Sequence, residues 1–305
     1  MALAARLIAA LTWLAAASGL ASAQDGAPVP WQMDSQAPAT YVMEYIHWFS
    51  WYTLIIVTLI VIFVLALIGW CAVKYNERAH PAPSRVTHNT LVEVLWTVIP
   101  VAILVAIAIP SFKLLYGQYD PSKLYENFDP NTPFLTVKVT GVQWAWDVSY
   151  PNDEENVAMG VAEPISLYVL PIPDDQIDPE QGQIRNLSVD NPVVVPVDTF
   201  VRLQVTADGA AIHAFAMPAF GLKEDAVPGR LNETYFKADR EGIFYGQCSE
   251  LCGKDHAFMP IAIRVVSQER FKAWAAAAPA DPAAAYESLA EAMRKEKQDQ
   301  KLVAR

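Results

Sequence analysis

The sequence predicts a transmembrane hairpin of two helices, then an all-β domain, then a short helical C-terminal tail. Hydrophobic residues make up 53% of the 305 positions and charged residues only 18%, and the apolar residues clump in the first third instead of recurring with a helical or strand period. From about Pro133 the pattern changes to short β-branched runs punctuated by Pro, Gly, Asn and Asp. After Lys272 the chain turns Ala-rich with mixed charge, as at Glu287, Glu291, Arg294 and Lys295, which suits a surface helix or a frayed tail over 273–305.

At the N-terminus one basic residue, Arg6, precedes an apolar run over 7–20 and the small residues Ala21-Ser22-Ala23. That order reads as a secretory signal peptide, 1–23, cut after Ala23 and leaving 24–43 as an external segment; the run is short for an anchor helix. Residues 48–73 are almost unbroken apolar sequence, longer than the roughly 20 residues that cross a hydrocarbon core. Trp48, Phe49, Trp51 and Tyr52 crowd its first turns, as an interfacial aromatic belt does. A second span covers 91–116 and contains Pro100 and Pro110, which membrane helices tolerate. The whole hairpin occupies 44–118. Its connection, 74–90, carries Lys74, Arg78 and Arg85 against Glu77, whereas Asp25, Asp34 and Glu44 precede the first span with no Lys or Arg. The positive-inside rule then makes the connection cytoplasmic and places both ends outside. Two helices leave outer faces that need lipid or neighbouring helices, so a bilayer and a larger membrane partner are implied.

The external domain, 119–272, shows strand signatures at 134–140, 193–197, 200–205 and 261–266, the pattern of a β-sandwich or barrel. Residues 120–272 carry 23 acidic and 12 basic side chains, so the net charge of −11 belongs to this domain. Asp153, Glu154, Glu155, Asp174, Asp175, Asp178 and Glu180 fall in the irregular stretch 152–183. Such a cluster reads first as a solvated loop and second as a steering field for a basic partner. Nucleic acid is not an expected partner of so acidic a domain.

Chemistry concentrates in Tyr245-Gly246-Gln247-Cys248-Ser249-Glu250-Leu251-Cys252-Gly253-Lys254-Asp255-His256-Ala257-Phe258-Met259-Pro260. Two thiols, an imidazole and a thioether within a dozen positions select copper or zinc over hard cations. Glycines and the closing Pro260 favour a loop between strands, from which the ligands can turn inward together. A second imidazole, His213, lies some 35 residues earlier at the end of a strand-like run. One-copper sites use His, Cys, His and a weak Met; the additional cysteine supplies a second bridging thiolate and makes room for a second metal. Singly, His213 reads as an ordinary buried histidine and Met259 as core filling, and Cys248 with Cys252 reads as an external disulfide. Cys71 is the third and last cysteine, so a disulfide scaffold is not expected.

This ligand loop, together with Gly141-Val142-Gln143-Trp144-Ala145-Trp146, His213-Ala214-Phe215-Ala216-Met217-Pro218 and Leu222-Lys223-Glu224-Asp225-Ala226-Val227-Pro228-Gly229-Arg230, resembles cytochrome c oxidase subunit II. The resemblance covers both spans and the domain to about Lys272. It implies a cupredoxin-like barrel with a dinuclear copper centre, CuA. Cys248 and Cys252 would bridge the coppers, His213 and His256 would be terminal nitrogen ligands, and Met259 sulfur and the Glu250 carbonyl would complete the set. It also implies a magnesium ion shared with subunit I through the Glu250 side chain, a use of oxygen ligands that suits magnesium. Trp144 matches the family's electron-accepting tryptophan, against which the haem edge of cytochrome c docks. Trp144 and Trp146 are two apart, and strand alternation would put them on one face without deciding which is exposed. Glu93, in Glu93-Val94-Leu95-Trp96, matches a glutamate at the cytoplasmic entrance of a proton route into subunit I; the competing reading is an acid favoured at a helix N-terminus.

The implied function is electron transfer within a respiratory oxidase of the bacterial inner membrane: from cytochrome c, a basic donor, through this chain to haem in subunit I. There, among further oxidase subunits, oxygen would be reduced to water with proton pumping. The chain departs from the family pattern at Val142, Ala145, Ala210 and Phe215, which bears on docking of the donor and leaves the ligands untouched. Three rivals are weaker. A quinol oxidase subunit II lacks the ligands, a copper-delivery protein with a thioredoxin-like domain has a single span, and a structural anchor leaves the ligand cluster unexplained.

Overall fold

The computed structural model describes residues 26–82, 84–126 and 128–303. The expected signal peptide, with its cleavage after Ala23, lies outside the described residues.

Helix α1 (Tyr41–Lys74) starts at Thr40, whose hydroxyl accepts the Met43 N–H, and ends with Lys74 against the negative pole of the helix dipole. At 34 residues it is about 51 Å long, well beyond the roughly 30 Å of a hydrocarbon core. The excess is at its start: Val42 and Met43 are buried, while apolar side chains from Leu54 to Val73 stand exposed, ready for lipid or neighbouring helices. Helix α2 (Thr90–Gly117) is capped by Asn89 and carries Pro100 and Pro110 in its interior. Tyr52 of α1 donates to the Ala106 carbonyl of α2 at 3.2 Å, a link between the spans.

The hairpin is joined to the β domain by main-chain bonds. Ala39 N–H donates to Ala219 O (2.9 Å), Asp239 N–H to Ala39 O (3.1 Å), and the Thr40 hydroxyl to Phe220 O (2.8 Å). At the other end of the hairpin the Gln118 carbonyl accepts from Tyr235 N–H and the Thr234 hydroxyl.

The domain is a sandwich of two five-stranded sheets, cupredoxin-like in form. Its strands are β1 (Leu135–Val142), β2 (Ala145–Tyr150), β3 (Ile165–Val169), β4 (Val193–Pro196), β5 (Phe200–Ala207), β6 (His213–Met217), β7 (Leu222–Ala226), β8 (Asn232–Lys237), β9 (Gly242–Cys248) and β10 (Pro260–Val266). One sheet runs β3-β2-β1-β5-β8, the other β4-β10-β9-β6-β7, with parallel pairs only at β1/β5 and β10/β4. The strands read from β-branched runs are here, and β5 shows the alternation behind them: Val201, Leu203, Val205 and Ala207 buried, Arg202, Gln204 and Thr206 partly exposed. Trp146, Tyr150, Phe215, Phe220, Phe236 and Phe244 fill the space between the sheets. The Tyr150 hydroxyl crosses that space, donating to Val194 O and accepting from Val194 N–H, both at 2.9 Å.

Short helix α3 (Glu154–Met159) presents Asn156, fully buried, to the open edge of the first residues of β1. Its amide accepts Thr136 N–H (2.7 Å) and donates to Thr136 O (2.9 Å) and Pro151 O (2.8 Å), standing in for a missing strand. The core continues past the expected domain end at Lys272, which falls inside α4 (Gln268–Ala277). Phe271, Trp274 and Ala275 are buried there, with the Trp274 ring 5.4 Å from that of Tyr150. The tail helix α5 (Pro282–Val303) is docked too. Ala285 and Leu289 are buried, Arg264 bonds the Tyr286 hydroxyl, Arg294 bonds Gln181, and Arg270 bridges Glu241 and Glu296. Of the tail's mixed charge, Arg294 and Glu296 supply docking contacts, whereas Glu291 and Lys295 pair with each other on the exposed face.

Asn156→Leu strands both main-chain groups of Thr136 inside the fold, so the β domain is expected to lose about 2–4 kcal/mol, measured as a lower midpoint in chemical denaturation of the full chain.

Candidate metal centre

Strand β9 ends at Cys248 and β10 begins at Pro260, so the candidate ligands lie on the loop that joins two antiparallel neighbours. The loop is closed at its base by Cys248 N–H donating to Met259 O (3.0 Å), and Ser249 N–H ties it sideways to Ala214 O of β6 (3.0 Å). Gly253, at φ +125°, makes the reversal that brings the second half of the loop back. A short 3₁₀ turn then carries His256.

His213 comes from β6, and here the structure corrects the sequence reading. It opens a strand instead of ending one. Strand β5 stops at Ala207, and Asp208-Gly209 turns the chain, with Gly209 at φ +89° and its N–H bonded to the Asp208 carboxylate. Turn chemistry, and not the apolar run, sets the boundary.

The donor atoms converge. Cys248 Sγ lies 3.8 Å from His213 Nδ1 and 3.3 Å from Glu250 O; Cys252 Sγ lies 3.6 Å from His256 Nδ1 and 3.5 Å from Met259 Sδ; the sulfurs are 4.0 Å apart. Donors held tetrahedrally at the roughly 2.0–2.3 Å of metal–nitrogen and metal–sulfur bonds would stand roughly 3.3–3.8 Å from one another, so the spacing fits a first-row transition metal. His213, Cys248 and Cys252 donor atoms all lie within 4.8 Å of one another, a cluster compatible with a metal site. Each sulfur has its own imidazole and its own weak donor, so the arrangement has two lobes about the pair of sulfurs. All three cysteines are free thiols.

The electrostatics follow from burial. It lowers the pKa of His213, with His256 adding to the effect, and keeps the ring neutral with a lone pair to offer. Burial, then the neighbouring Cys248, pushes the Cys252 thiol up to about 11. A thiolate is therefore unfavourable here without a cation, and a bound metal has to displace the proton.

The surroundings fix the ligands. Gly141 forms the floor under His213: a Cβ there would stand 2.9 Å from the imidazole. Trp146 packs edge-on to His213 (5.9 Å) and Phe215 (5.6 Å). Gly246 lets β9 meet β6, since a Cβ would fall 1.9 Å from Ala216 O. Gln143 donates to Cys252 O at 2.8 Å. The roles of Gly141, Gln143 and Gly246 went unread in the sequence, although a glycine interrupting a strand is a signal of close approach.

Trp144 does not obey strand alternation with Trp146. It sits with Gln143 in a two-residue turn between the paired Val142 and Ala145, half-buried against Gly253, while Trp146 is core. Glu250 turns its carbonyl toward Cys248 and its side chain to solvent. Glu93 is not brought to this centre. It lies in the first turn of α2, where its carboxylate accepts the Asn89 N–H at 3.3 Å. Of the acidic stretch, Asp153 and Asp178 cap helical turns, Asp174 pairs with Arg185, and Glu155 pairs with Arg202.

Comparison with known proteins agrees with this architecture. The family model for the periplasmic domain of cytochrome c oxidase subunit II matches residues 135–266, and the model for its transmembrane domain matches 28–114. A probable cytochrome c oxidase subunit 2 of Rickettsia felis is 44% identical over 249 residues, covering 82% of this chain and 72% of the relative. The cytochrome c oxidase subunit 2 of Cereibacter sphaeroides is 40% identical over 263 residues, covering 82% and 81%. The solved periplasmic domain of subunit II of the Bradyrhizobium japonicum cytochrome oxidase is 53% identical, covering 47% of this chain and 92% of that one with a TM-score of 0.40. Hairpin, sandwich and ligand loop all fall within the matched residues, and the chain belongs to the cytochrome c oxidase subunit II family, an electron-transfer component of an oxidoreductase complex.

Proposed function

We propose that this chain accepts electrons from cytochrome c at a dinuclear CuA centre and passes them to haem in subunit I. The observation that carries the reading is the paired donor set: two buried thiols 4.0 Å apart, each with its own imidazole nitrogen. His213, Cys248, Cys252, His256, Met259 Sδ and the Glu250 carbonyl would hold the coppers. Copper held by these thiols and imidazoles would supply one-electron transfer.

The chain's own residues prepare the site for that use. Buried main-chain bonds at the loop base and the packing of Trp146, Phe215 and Gly141 around His213 hold the donors in place, so little has to move when charge arrives. Low exposure of Cys248, Cys252 and Met259 keeps water from the sulfurs. Trp144 would receive the electron, a role supported by its turn being bonded through Gln143 to the Cys252 carbonyl and by its ring lying on Gly253. Leu251, Phe258 and Ile212 stand exposed beside the ligands, an apolar rim suited to a haem edge, with acids farther out to steer a basic donor.

Three further assignments belong to this reading. Glu250, exposed beside its inward carbonyl, would share magnesium with subunit I. Glu93 would open a proton route from the cytoplasmic side, in addition to its capping bond. The chain would lie in the bacterial inner membrane with 74–90 cytoplasmic and the β domain periplasmic, and oxygen reduction with proton pumping would take place in subunit I.

Copper-loaded chain is expected to hold two coppers and, when partly oxidised, to give a seven-line electron paramagnetic resonance hyperfine pattern. A four-line single-copper signal would overturn the reading. Cys252→Ser should abolish the shared-electron signal. Because loading displaces at least the proton held on Cys252, apparent copper affinity should fall by about tenfold or more for each unit of decreasing pH below neutrality, read by competition with a chelator of known affinity. Trp144→Leu should slow reduction by cytochrome c on the order of tenfold or more with the copper spectrum unchanged, as seen by stopped-flow absorbance.

A further inference from the structure

The segment before α1 crosses the surface of the β domain between two anchors. At one end Gly26 accepts the Tyr245 N–H (3.1 Å) and lies so close to Phe244 that a Cβ would stand 2.5 Å from its ring. At the other, Arg240 bonds the Pro38 carbonyl and Ala39 bonds Ala219. Between them a loop holds its own shape. Gln32 N–H donates to Val29 O (3.2 Å), Val29 N–H donates to the Gln32 side-chain oxygen (3.2 Å), and the Gln32 amide donates to Ser35 O (2.7 Å).

At the tip of this loop Trp31 is 96% exposed and Met33 fully exposed. Trp31 also has φ +62°, a left-handed conformation that a bulky L-residue adopts at a cost of about 1 kcal/mol or more. Side chains this exposed gain no burial among the described residues to offset that cost or their own contact with water.

The loop has a defined height. Asp34, next to Met33, pairs with His47 Nε2 at 3.0 Å. His47 and Trp51 are one helical turn apart on α1, and Trp48, Trp51 and Tyr52 there are half-exposed aromatics at the start of the apolar span. That is the level at which indoles partition between headgroups and acyl chains.

We propose that the 29–34 loop is a membrane-interface anchor, with Trp31 and Met33 seated in the headgroup region of the lipid leaflet that meets the first turns of α1. The occupant is lipid, because the two side chains extend the aromatic belt of α1 sideways at the same depth. Gln32, Asp34 and Ser35 meanwhile spend their polar groups on the loop and on α1, as an interfacial element requires. The anchor adds a third point of attachment beside the two spans and so resists tilting of the β domain over the bilayer.

The test uses the intact, copper-loaded oxidase in phosphatidylcholine nanodiscs, with a nitroxide at Met33→Cys in a Cys71→Ser background. Power-saturation electron paramagnetic resonance then compares collision with oxygen, which concentrates in lipid, and with a water-soluble nickel chelate. Oxygen collisions in excess of those with the nickel chelate are the expected result. A further Trp31→Gly change, which relaxes the backbone, should shift the label toward the nickel chelate. Dominant collision with the nickel chelate in the starting protein would place the loop in water, and low collision with both reagents would place it under another subunit; either result overturns the proposal.

Discussion

Bringing two thiols within 4.0 Å of each other inside a folded domain is the constraint to which the rest of this structure answers. Burial opposes the ionisation of sulfur held there, as the raised pKa of Cys252 shows. The loop that carries the thiols must therefore be held by bonds that do not depend on them. Two of those bonds are main-chain ones, Cys248 to Met259 at the base and Ser249 to Ala214 at the side, and the third is from the Gln143 side chain to the Cys252 carbonyl. The positions of the candidate ligands are in this way set by sheet geometry, and a metal would be received by a framework that already exists.

The same economy governs the glycines. Gly246 and Gly141 have no room for a side chain, one because β9 and β6 run close together, the other because His213 occupies the space. Without Gly141 strand β1 could not approach His213 of β6 in the facing sheet, and without Gly246 the neighbours β9 and β6 could not pair closely enough for the imidazole to reach the sulfur at the end of β9. The aromatic core, with Trp146 against both His213 and Phe215, then stiffens the arrangement from behind. A site that changes charge without changing shape needs this kind of support.

The join between hairpin and sandwich has a similar logic. Main-chain bonds from Ala39, Asp239 and Gln118 and the buried first turn of α1 make the membrane segment and the domain one body. The candidate centre is thus held at a fixed distance from the hairpin, as the proposed transfer to haem in another subunit would require. Much of the acidic charge is occupied in local structure, as with the caps at Asp153 and Asp178 and the pair Asp174–Arg185, leaving the remaining acids to shape the outer field.

By itself the sequence determined the two apolar spans, the strands at 134–140, 193–197, 200–205 and 261–266, and the loop with Cys248, Cys252, His256 and Met259. Each of these is a local pattern: a run long enough to cross lipid, a β-branched alternation, a cluster of soft ligands within a dozen residues. Tertiary structure alone decided that His213 opens β6 and meets Cys248 across 35 positions of chain. It also decided that Trp144 sits in a turn on Gly253 while Trp146 is core, that Asn156 completes the edge of β1, and that the charged tail is docked through Arg264, Arg270 and Arg294. The reason is physical. Periodicity reports which face of an element is apolar, but which elements meet, and how closely, depends on contacts between residues far apart in the chain, where a missing side chain or one buried amide is enough to choose the partner.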